Sequence, residues 1–190
     1  MSKVVPLLTE HDLVKGCQQG DRNCQKQVFE KWHRKMLAVC QRYINNNFEA
    51  EDILMQAMMK VFTEINKFSG LGSFEGWMRR IVVNEALMAV RKQKIVFESV
   101  NQEDVENSEG FDPGSLQVDA EYLFELLQSL PTGFRTVFNL YAIEGYDHKE
   151  IASMLGISEG TSKSQLSRAR QMLADKLTKM NTGDTKTVIQ

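Results

Sequence analysis

The sequence predicts an all-α fold of two small helical domains, residues 1–95 and 119–190, joined by an acidic flexible linker over residues 96–118. Three observations carry this. Apolar residues recur at three- and four-residue steps through both ends of the chain, the period of amphipathic helices. Near the C-terminus a short helical pattern, a glycine and a longer helical pattern follow one another as in a helix-turn-helix. Between the two ends lies a stretch with no sustained helical period and no positive charge. At 190 residues and 42% hydrophobic content the chain can bury one large or two small cores.

The formal net charge of −2 conceals how charge is distributed. Residues 1–95 hold 15 Lys and Arg against 10 Asp and Glu, residues 135–190 hold 8 against 6, and residues 96–134 hold 9 acidic residues and no basic one. Two basic ends are separated by acid, so nucleic-acid binding stays open despite the negative total. The start, MSKVVPLLTEHD, lacks the apolar core of a signal peptide, and no run of about eighteen apolar residues offers a membrane span. A cytoplasmic protein without membrane insertion is expected. Cys17, Cys24 and Cys40 are expected to be reduced and partly buried; they form no C-x-x-C pair, and their spacing with His33 is unlike zinc modules. No phosphate loop, metal-ligand cluster or nucleophile–base–acid set is visible, so the expectation is no enzyme chemistry, no cofactor, no metal and no small-molecule substrate.

Taken in order, Thr9 to Gln19 reads as a short helix capped by Thr9 and ended near Gly20. Asp21 caps a longer helix in which Val28, Phe29, Trp32, Met36, Val39 and Tyr43 share a face. Asn45, Asn46 and Asn47 break it. A third helix, Phe48 to Asn66, opens with Glu49, Glu51 and Asp52, favourable at the positive end of a helix. Its stripe of Ile53, Leu54, Ala57, Met58, Val61, Phe62 and Ile65 is widened by Met55 and Met59. A fully packed bundle helix and a methionine-bearing edge for a partner protein both account for that width.

The glycine-rich connection Lys67–Phe74 carries aromatics and leads into a helix over Glu75–Lys94, with Ser73 as its cap. Phe74, Trp77, Met78, Ile81, Val82 and Met88 group on one face, with Trp77 expected in the core; Arg80, Asn84 and Arg91 group on another. Glu85 falls in the apolar sector, where an ion pair inside the bundle is the one account of it. A loop bearing Phe68 beside an Arg/Asn stripe suits unpaired nucleic acid, because aromatic and amide groups hold an unstacked base while arginines follow the backbone.

The C-terminal domain begins with Asp119–Ser129 and continues past Pro131, which suits a helix's first turn, into a helix bearing Phe134, Val137, Phe138 and Tyr141. It ends in the helix-turn-helix, Glu144–Leu173. Asp147 caps the first helix, whose Ile151, Ala152 and Leu155 share one side; Gly156 suits a left-handed helix end, Ile157 plugs the angle and Ser158 caps the next helix. Along that last helix Ser162, Leu166, Ala169, Leu173 and Leu177 face inward, and Thr161, Ser164, Arg168 and Gln171 outward. Hydroxyls and Lys163 would grip phosphates, while Arg168 would reach a phosphate or a guanine edge. The candidate duplex-facing residues are Thr161, Lys163, Ser164, Gln165, Ser167 and Arg168. A surface helix with a solvated basic side has the same spacing; the short helix and glycine turn before it favour the groove-reading assignment.

Three stretches, FEAEDILMQAMMKVF, SFEGWMRRIVVNEALMAVRK and LPTGFRTVFNLYAIEGYDHKEIASMLGISEGTSKSQLSRAR, follow in that order. In them the chain resembles a bacterial RNA polymerase sigma factor of the extracytoplasmic-function (ECF) group of the sigma-70 family, which has only sigma regions 2 and 4. The resemblance implies a promoter-specificity subunit and not an enzyme. Its implied partners are core RNA polymerase and promoter DNA, duplex at the −35 element and unpaired at the −10 element, with an anti-sigma protein a typical further partner. It implies that the helix around Glu51–Phe62 docks on the clamp helices of the largest polymerase subunit, which makes Glu51, Asp52, Met55, Gln56, Met59 and Phe62 the docking candidates. It implies that Phe68–Arg91 reads and helps open the −10 element. The candidates there are Phe68, Ser73, Arg79, Arg80, Asn84 and Arg91, with Asn84 near the captured base. Lys163, Ser164 and Arg168 fall on positions that contact the −35 element.

Two departures from the family pattern stand out. Met88 lies where many members have an acidic residue, and Ser162 and Gln165 lie where valine and arginine are common. Ser162 faces inward and affects packing. Gln165, expected near the DNA edge, favours adenine where arginine favours guanine.

From Ile95 to about Val118 there is no Lys or Arg, and Pro113-Gly114 interrupts any helix, so an extended linker is expected. About two dozen residues reach at most roughly 80 Å. Elements roughly one and a half DNA turns apart are separated by roughly 50 Å, so both domains can engage at once. A place in a basic polymerase channel, as for the family's linker, and a solvated spacer both fit its acidity. Among rival functions, a helix-turn-helix regulator that never joins polymerase leaves the N-terminal helices without a role. A sigma mimic that occupies an anti-sigma protein would be expected to lack outward cations, yet Lys163, Arg168, Arg80 and Arg91 are present.

Overall fold

The computed structural model describes residues 8–92 and 120–181. The expectations for the linker, residues 96–118, lie outside the described residues. The chain divides into two units, Met1–Ala89 and Val90–Gln190, with the boundary inside the last turn of the helix Phe74–Lys92, which is described with the first unit. The described residues form eight α-helices, with a short 3-10 turn and a π turn and no strand. Among them no helix is long and apolar enough to cross a membrane.

In the N-terminal unit α1 (Glu10–Gln18) is opened by a reciprocal cap: the Asp12 backbone N–H donates to the Thr9 side chain, and the Thr9 N–H donates to the Asp12 carboxylate. α2 (Arg22–Tyr43) starts at Asp21, whose carboxylate accepts from the N–H groups of Asn23 and Cys24. Its inward residues Val28, Trp32, Met36, Val39 and Tyr43 are all buried, while Phe29 is half-buried and stacks on His33. α3 (Asn47–Glu64) is capped by Asn46 and runs into a 3-10 turn, Ile65–Lys67. α4 (Phe74–Lys92) is capped by Ser73, whose Oγ accepts from the Gly76 N–H at 3.0 Å.

Phe74, the first residue of α4, is fully enclosed. Its ring meets Trp32 at 5.5 Å, Phe68 at 5.3 Å and Trp77 at 5.7 Å, an aromatic cluster that ties α2, the loop and α4 together. Trp77 is half-buried at the edge of this cluster. Glu75 then locks α4 to α2: Trp32 Nε1 donates to it at 3.2 Å and Lys35 Nζ at 3.0 Å. The Lys35 bond, with smaller help from Trp32, holds the Glu75 carboxyl below its ordinary range against the opposing effect of burial.

Glu85 makes the ion pair expected of it, accepting from Lys60 Nζ at 2.7 Å and so joining α3 to α4. Met88 departs from the expected apolar face, being 46% exposed. The buried side of α4 turns around the helix axis, from Phe74, Met78 and Ile81 in the first half to Val83, Ala86, Leu87 and Val90 in the second, and Met88 is left outside it. Cys17, Cys24 and Cys40 are free and buried. Burial pushes the Cys17 thiol up to about 11 and the Cys40 thiol up to about 12, which suits them to packing and not to nucleophilic chemistry.

The C-terminal unit comprises α5 (Ala120–Gln128), α6 (Thr132–Phe138) with a following π turn (Asn139–Ile143), α7 (His148–Leu155) and α8 (Glu159–Asn181). Pro131 sits at the N-cap of α6, one position before the first turn. The buried Arg135 donates to the carbonyl oxygens of Gln128 at 3.1 Å and Leu130 at 3.5 Å, so a cation satisfies the carbonyl end of α5. Val137, Phe138, Leu140, Ile151, Leu155, Leu166, Ala169 and Leu173 supply the apolar core of the unit.

Both tryptophans, Trp32 and Trp77, belong to the N-terminal unit, so their fluorescence reports its unfolding selectively. Phe74→Ala should destabilise that unit by about 3–5 kcal/mol in urea titrations followed by tryptophan emission, because it empties a wholly enclosed aromatic site. Phe68→Ala should cost clearly less, since Phe68 is only half-buried.

Candidate nucleic-acid interface

α7 and α8 are joined as a helix-turn-helix whose turn is specified residue by residue. Asp147 and Glu150 form a reciprocal cap at the start of α7: the Glu150 N–H donates to Asp147 at 2.7 Å, and the Asp147 N–H donates to the Glu150 carboxylate at 2.9 Å. Gly156 closes α7 in the left-handed conformation, φ 69°, and its N–H donates to the Ala152 carbonyl. The half-buried Ile157 follows in the angle between the helices, and the Thr161 N–H donates to the Ser158 Oγ at 2.9 Å to open α8. Ser162 is buried, as expected, and its Oγ lies 2.9 Å from His148 Nδ1.

Along α8 the exposure pattern is narrower than the apolar period indicates. Lys163 is exposed, and Thr161 and Arg168 are half-buried; Arg168 donates to the Gln171 side chain at 3.1 Å. Ser164, expected outward, and Gln165, expected near the DNA edge, are only 4% and 1% exposed, and Ser167 is 8% exposed. Small and amide side chains give no hydrophobic signal, so their enclosure escaped the periodicity. The Ser164 hydroxyl donates back to the Thr161 carbonyl at 3.0 Å, which lets it be enclosed without an unmet bond.

In the N-terminal unit the loop from Phe68 to Ser73 has its two ends fixed to α1. Gln18 Nε2 donates to the Ile65 carbonyl just before it, and the Phe74 N–H just after it donates to the Glu10 carboxylate, both at 3.4 Å. Between these ends Gly70 and Gly72 have φ 79° and 83°, and Leu71 between them is 87% exposed. A pocket of about 420 Å³ lies between α1 and this loop, lined by Glu10, His11, Lys15 and Gln18 on one side and by Phe68 and Ser69 on the other. Arg80, Asn84 and Arg91 are exposed along α4, and Arg79 is half-buried near Glu75. Asn84 does not line the pocket, and the hydroxyl of Ser73 is engaged in capping.

On α3 the residues Glu51, Asp52, Met55, Gln56 and Met59 are exposed, and Phe62 is half-buried. Met55 and Met59 are 51% and 67% exposed, and Phe48, in the first turn, is 81% exposed. Phe48 lies seven and eleven residues before Met55 and Met59, which puts it on their stripe. The break at Asn45–Asn47 marks Phe48 only as the start of a helix; its spacing from the two methionines is the signal that it belongs to the same exposed apolar strip.

Comparison with known proteins places both units. The family described as Sigma-70 region 2 matches residues 28–95, and that described as Sigma-70, region 4 matches residues 120–173. The chain is 26% identical over 185 residues to the ECF RNA polymerase sigma-E factor of Haemophilus influenzae, covering 90% of this chain and 96% of that protein. It is 25% identical over 182 residues to the protein of that name in Escherichia coli K12, covering 90% and 95%. The ECF RNA polymerase sigma factor SigE of Mycolicibacterium smegmatis is 34% identical over 143 residues, 73% of this chain and 55% of that one. A solved structure of the sigma factor RpoE in complex with the anti-sigma factor NepR, from Bartonella quintana, shares the fold at TM-score 0.50 and 22% identity, covering 80% of this chain and 96% of that chain.

Two glycines separate the demands of the turn from those of the helix. A Cβ at Gly156 meets no atom within 4 Å, so the cost of Gly156→Ala is the left-handed backbone itself, about 1–2 kcal/mol. At Gly160, in the first turn of α8, a Cβ makes only an ordinary 3.6 Å contact with Ser158, and Gly160→Ala should be neutral or stabilising by up to about 1 kcal/mol. Thermal unfolding of the two variants followed by circular dichroism should move in these different senses.

Proposed function

Because this chain belongs to the sigma-70 family, in its extracytoplasmic-function group, we propose that its units divide promoter recognition, each through the surfaces described above. The chain is an ECF-type sigma factor, a subunit that binds core RNA polymerase and directs promoter-specific initiation. The observation that carries the assignment is the order in one chain of an exposed methionine strip on α3, an aromatic loop leading into the Arg/Asn stripe of α4, and a helix-turn-helix closed by a left-handed Gly156.

The polymerase-facing surface is the exposed strip of α3. Met55 and Met59, extended by Phe48, supply adaptable apolar area, and Glu51, Asp52 and Gln56 give it a polar flank; Phe62 supports it from a half-buried position. The −10 surface is the Phe68–Ser73 loop with Arg79, Arg80, Asn84 and Arg91 of α4. Arginines follow the phosphates of the opened strand, Asn84 reads a base edge, and the pocket beside Phe68 is large enough to take an unstacked base. Ser73 acts there through its cap, by fixing where the loop ends.

The −35 surface is the first half of α8. Lys163 and Thr161 hold the backbone, and Arg168 reaches a phosphate or a guanine edge. Ser164, Gln165 and Ser167, which the sequence offers for the same surface, are buried, so the accessible contacts are those of Lys163, Thr161 and Arg168. The linker lies outside the described residues, and we assign it the span between the two elements. A DNA-binding regulator that works without polymerase gives no role to the exposed strip of α3.

Two measurements test the division. Met59→Asp should weaken binding to core polymerase about tenfold or more, a loss of roughly 1.4 kcal/mol or above, in a fluorescence-anisotropy titration, with helix content unchanged. Arg168→Ala should weaken closed-complex formation by about 1–3 kcal/mol if the residue reads a base. Asn84→Ala should leave the closed complex largely intact and impair strand opening, read by permanganate reactivity of unpaired thymines. Equal effects of these last two substitutions on duplex binding, with opening unchanged, would contradict the assignment.

A further inference from the structure

We propose that His148 is a proton-linked phosphate contact: with Lys163 and Arg170 it forms an anion site on the flank of the helix-turn-helix that grips a backbone phosphate of the upstream duplex. This rests on the reading of α7 and α8 as the duplex-binding element.

The imidazole is held from two directions. Its ring stacks on Tyr141 with centroids 4.7 Å apart and planes inclined by 22°, and its Nδ1 lies 2.9 Å from the Ser162 Oγ. Those contacts fix the ring and use one nitrogen, which leaves Nε2 for a ligand. Lys163 and Arg170 lie seven residues apart on one stripe of α8, beside Ser162. The Arg170 guanidinium lies 5.7 Å from the centre of the Tyr141 ring, and its buried Nε has no hydrogen-bond partner. Two helices thus bring an imidazole and two cations to one flank.

The charges around the ring favour an anion. Burial first, then Lys163 and Arg170, hold the His148 imidazole below its ordinary range; Asp147 and Glu159 oppose this without overcoming it. The ring is therefore neutral near neutral pH in the free chain, in a field that its own protonation would make more positive. A phosphate oxygen accepting from Nε2–H reverses that field and favours the protonated ring. The Ser162 hydroxyl donates to Nδ1 when the ring is neutral and accepts from Nδ1–H when it is charged, so the proton taken from solvent breaks no internal bond.

The sign follows. The affinity of the neutral state becomes the affinity of the charged state as pH falls through the interval between the free and the DNA-bound titration of His148. Binding takes up a proton in that interval, and affinity rises as pH falls. A purely structural His148, present only to hold Ser162, gives no such linkage.

The test uses the holoenzyme and a duplex carrying the −35 element, with anisotropy titrations between about pH 6 and about pH 8 and at several salt concentrations. His148→Asn keeps an amide near the Nδ1 position for Ser162, and His148→Gln keeps one near Nε2. Wild type should bind about three- to tenfold tighter at the lower pH. Both variants should lose that excess, which cancels any pH response of the polymerase itself, and the salt slope of His148→Asn should fall in magnitude by about one. Retention of the wild-type pH response by either variant, each shown to be folded by its melting curve, overturns the proposal. So does its absence from wild type. Failure of the wild-type holoenzyme to bind the duplex at any pH would instead remove the reading on which the proposal stands.

Discussion

The N-terminal unit depends on the complete enclosure of one aromatic ring at the first position of a helix. Phe74 packs among Trp32, Phe68 and Trp77, and its own N–H is held by Glu10, so the start of α4 has no freedom to slide. Glu75, one residue on, is bonded to both Trp32 and Lys35 and fixes the rotation of α4 about its axis. The loop before Phe74 inherits these constraints at one end, and Gln18 holds the other through the Ile65 carbonyl. Its middle projects between these anchors, with Leu71 exposed between Gly70 and Gly72. Anchored ends reduce the entropy that the loop must lose on contact with a ligand, while the two positive-φ glycines keep the tip adaptable.

The C-terminal unit is specified at its critical junction by polar atoms more than by apolar ones. Gly156 closes α7 in the left-handed conformation, and the bond between Ser162 and His148 ties α8 to the first turn of α7. A valine in place of Ser162 would pack there without recruiting the imidazole. The two residues are best understood together: the buried hydroxyl needs a partner, and His148 supplies it while remaining stacked on Tyr141. Arg135 works in the same manner at the other end of the unit, where a buried cation gathers the carbonyls that α5 leaves open.

Much of this was legible in the sequence because helix ends and apolar faces leave strong local signals. Thr9, Asp21, Asn46, Ser73, Asp147, Gly156 and Ser158 stand at helix ends whose residue types announce them. The Lys60–Glu85 pair was half legible: an acid within an apolar sector calls for a cation, but sequence does not name one on another helix. Met88 and the trio Ser164, Gln165 and Ser167 were misplaced for a common reason. Periodicity assumes that a helix buries one fixed stripe, whereas the buried side of α4 rotates along its length and α8 is enclosed around more of its circumference than its apolar residues mark. Phe48 is marked by the sequence only as the start of a helix, after the break at Asn45–Asn47, and its spacing from Met55 and Met59 is what shows that it shares an outward strip.

The exposed residues also explain how one chain of net charge −2 can serve two very different partners. The strip on α3 is apolar and acidic, with Glu51 and Asp52 in the early turns where the positive end of the helix dipole stabilises them, so the same carboxylates favour the helix and flank the strip. The surfaces proposed for DNA, on α4 and α8, expose Arg80, Arg91 and Lys163 instead. Had cations and apolar strip shared one helix face, polymerase and DNA would compete for it, and unpaired phosphates would be drawn to the docking surface. Segregation onto separate helices removes that competition. It also lets the exposed methionines, which adapt their shape at little conformational cost, bind a protein surface while the more rigidly capped helix-turn-helix meets the regular geometry of a duplex.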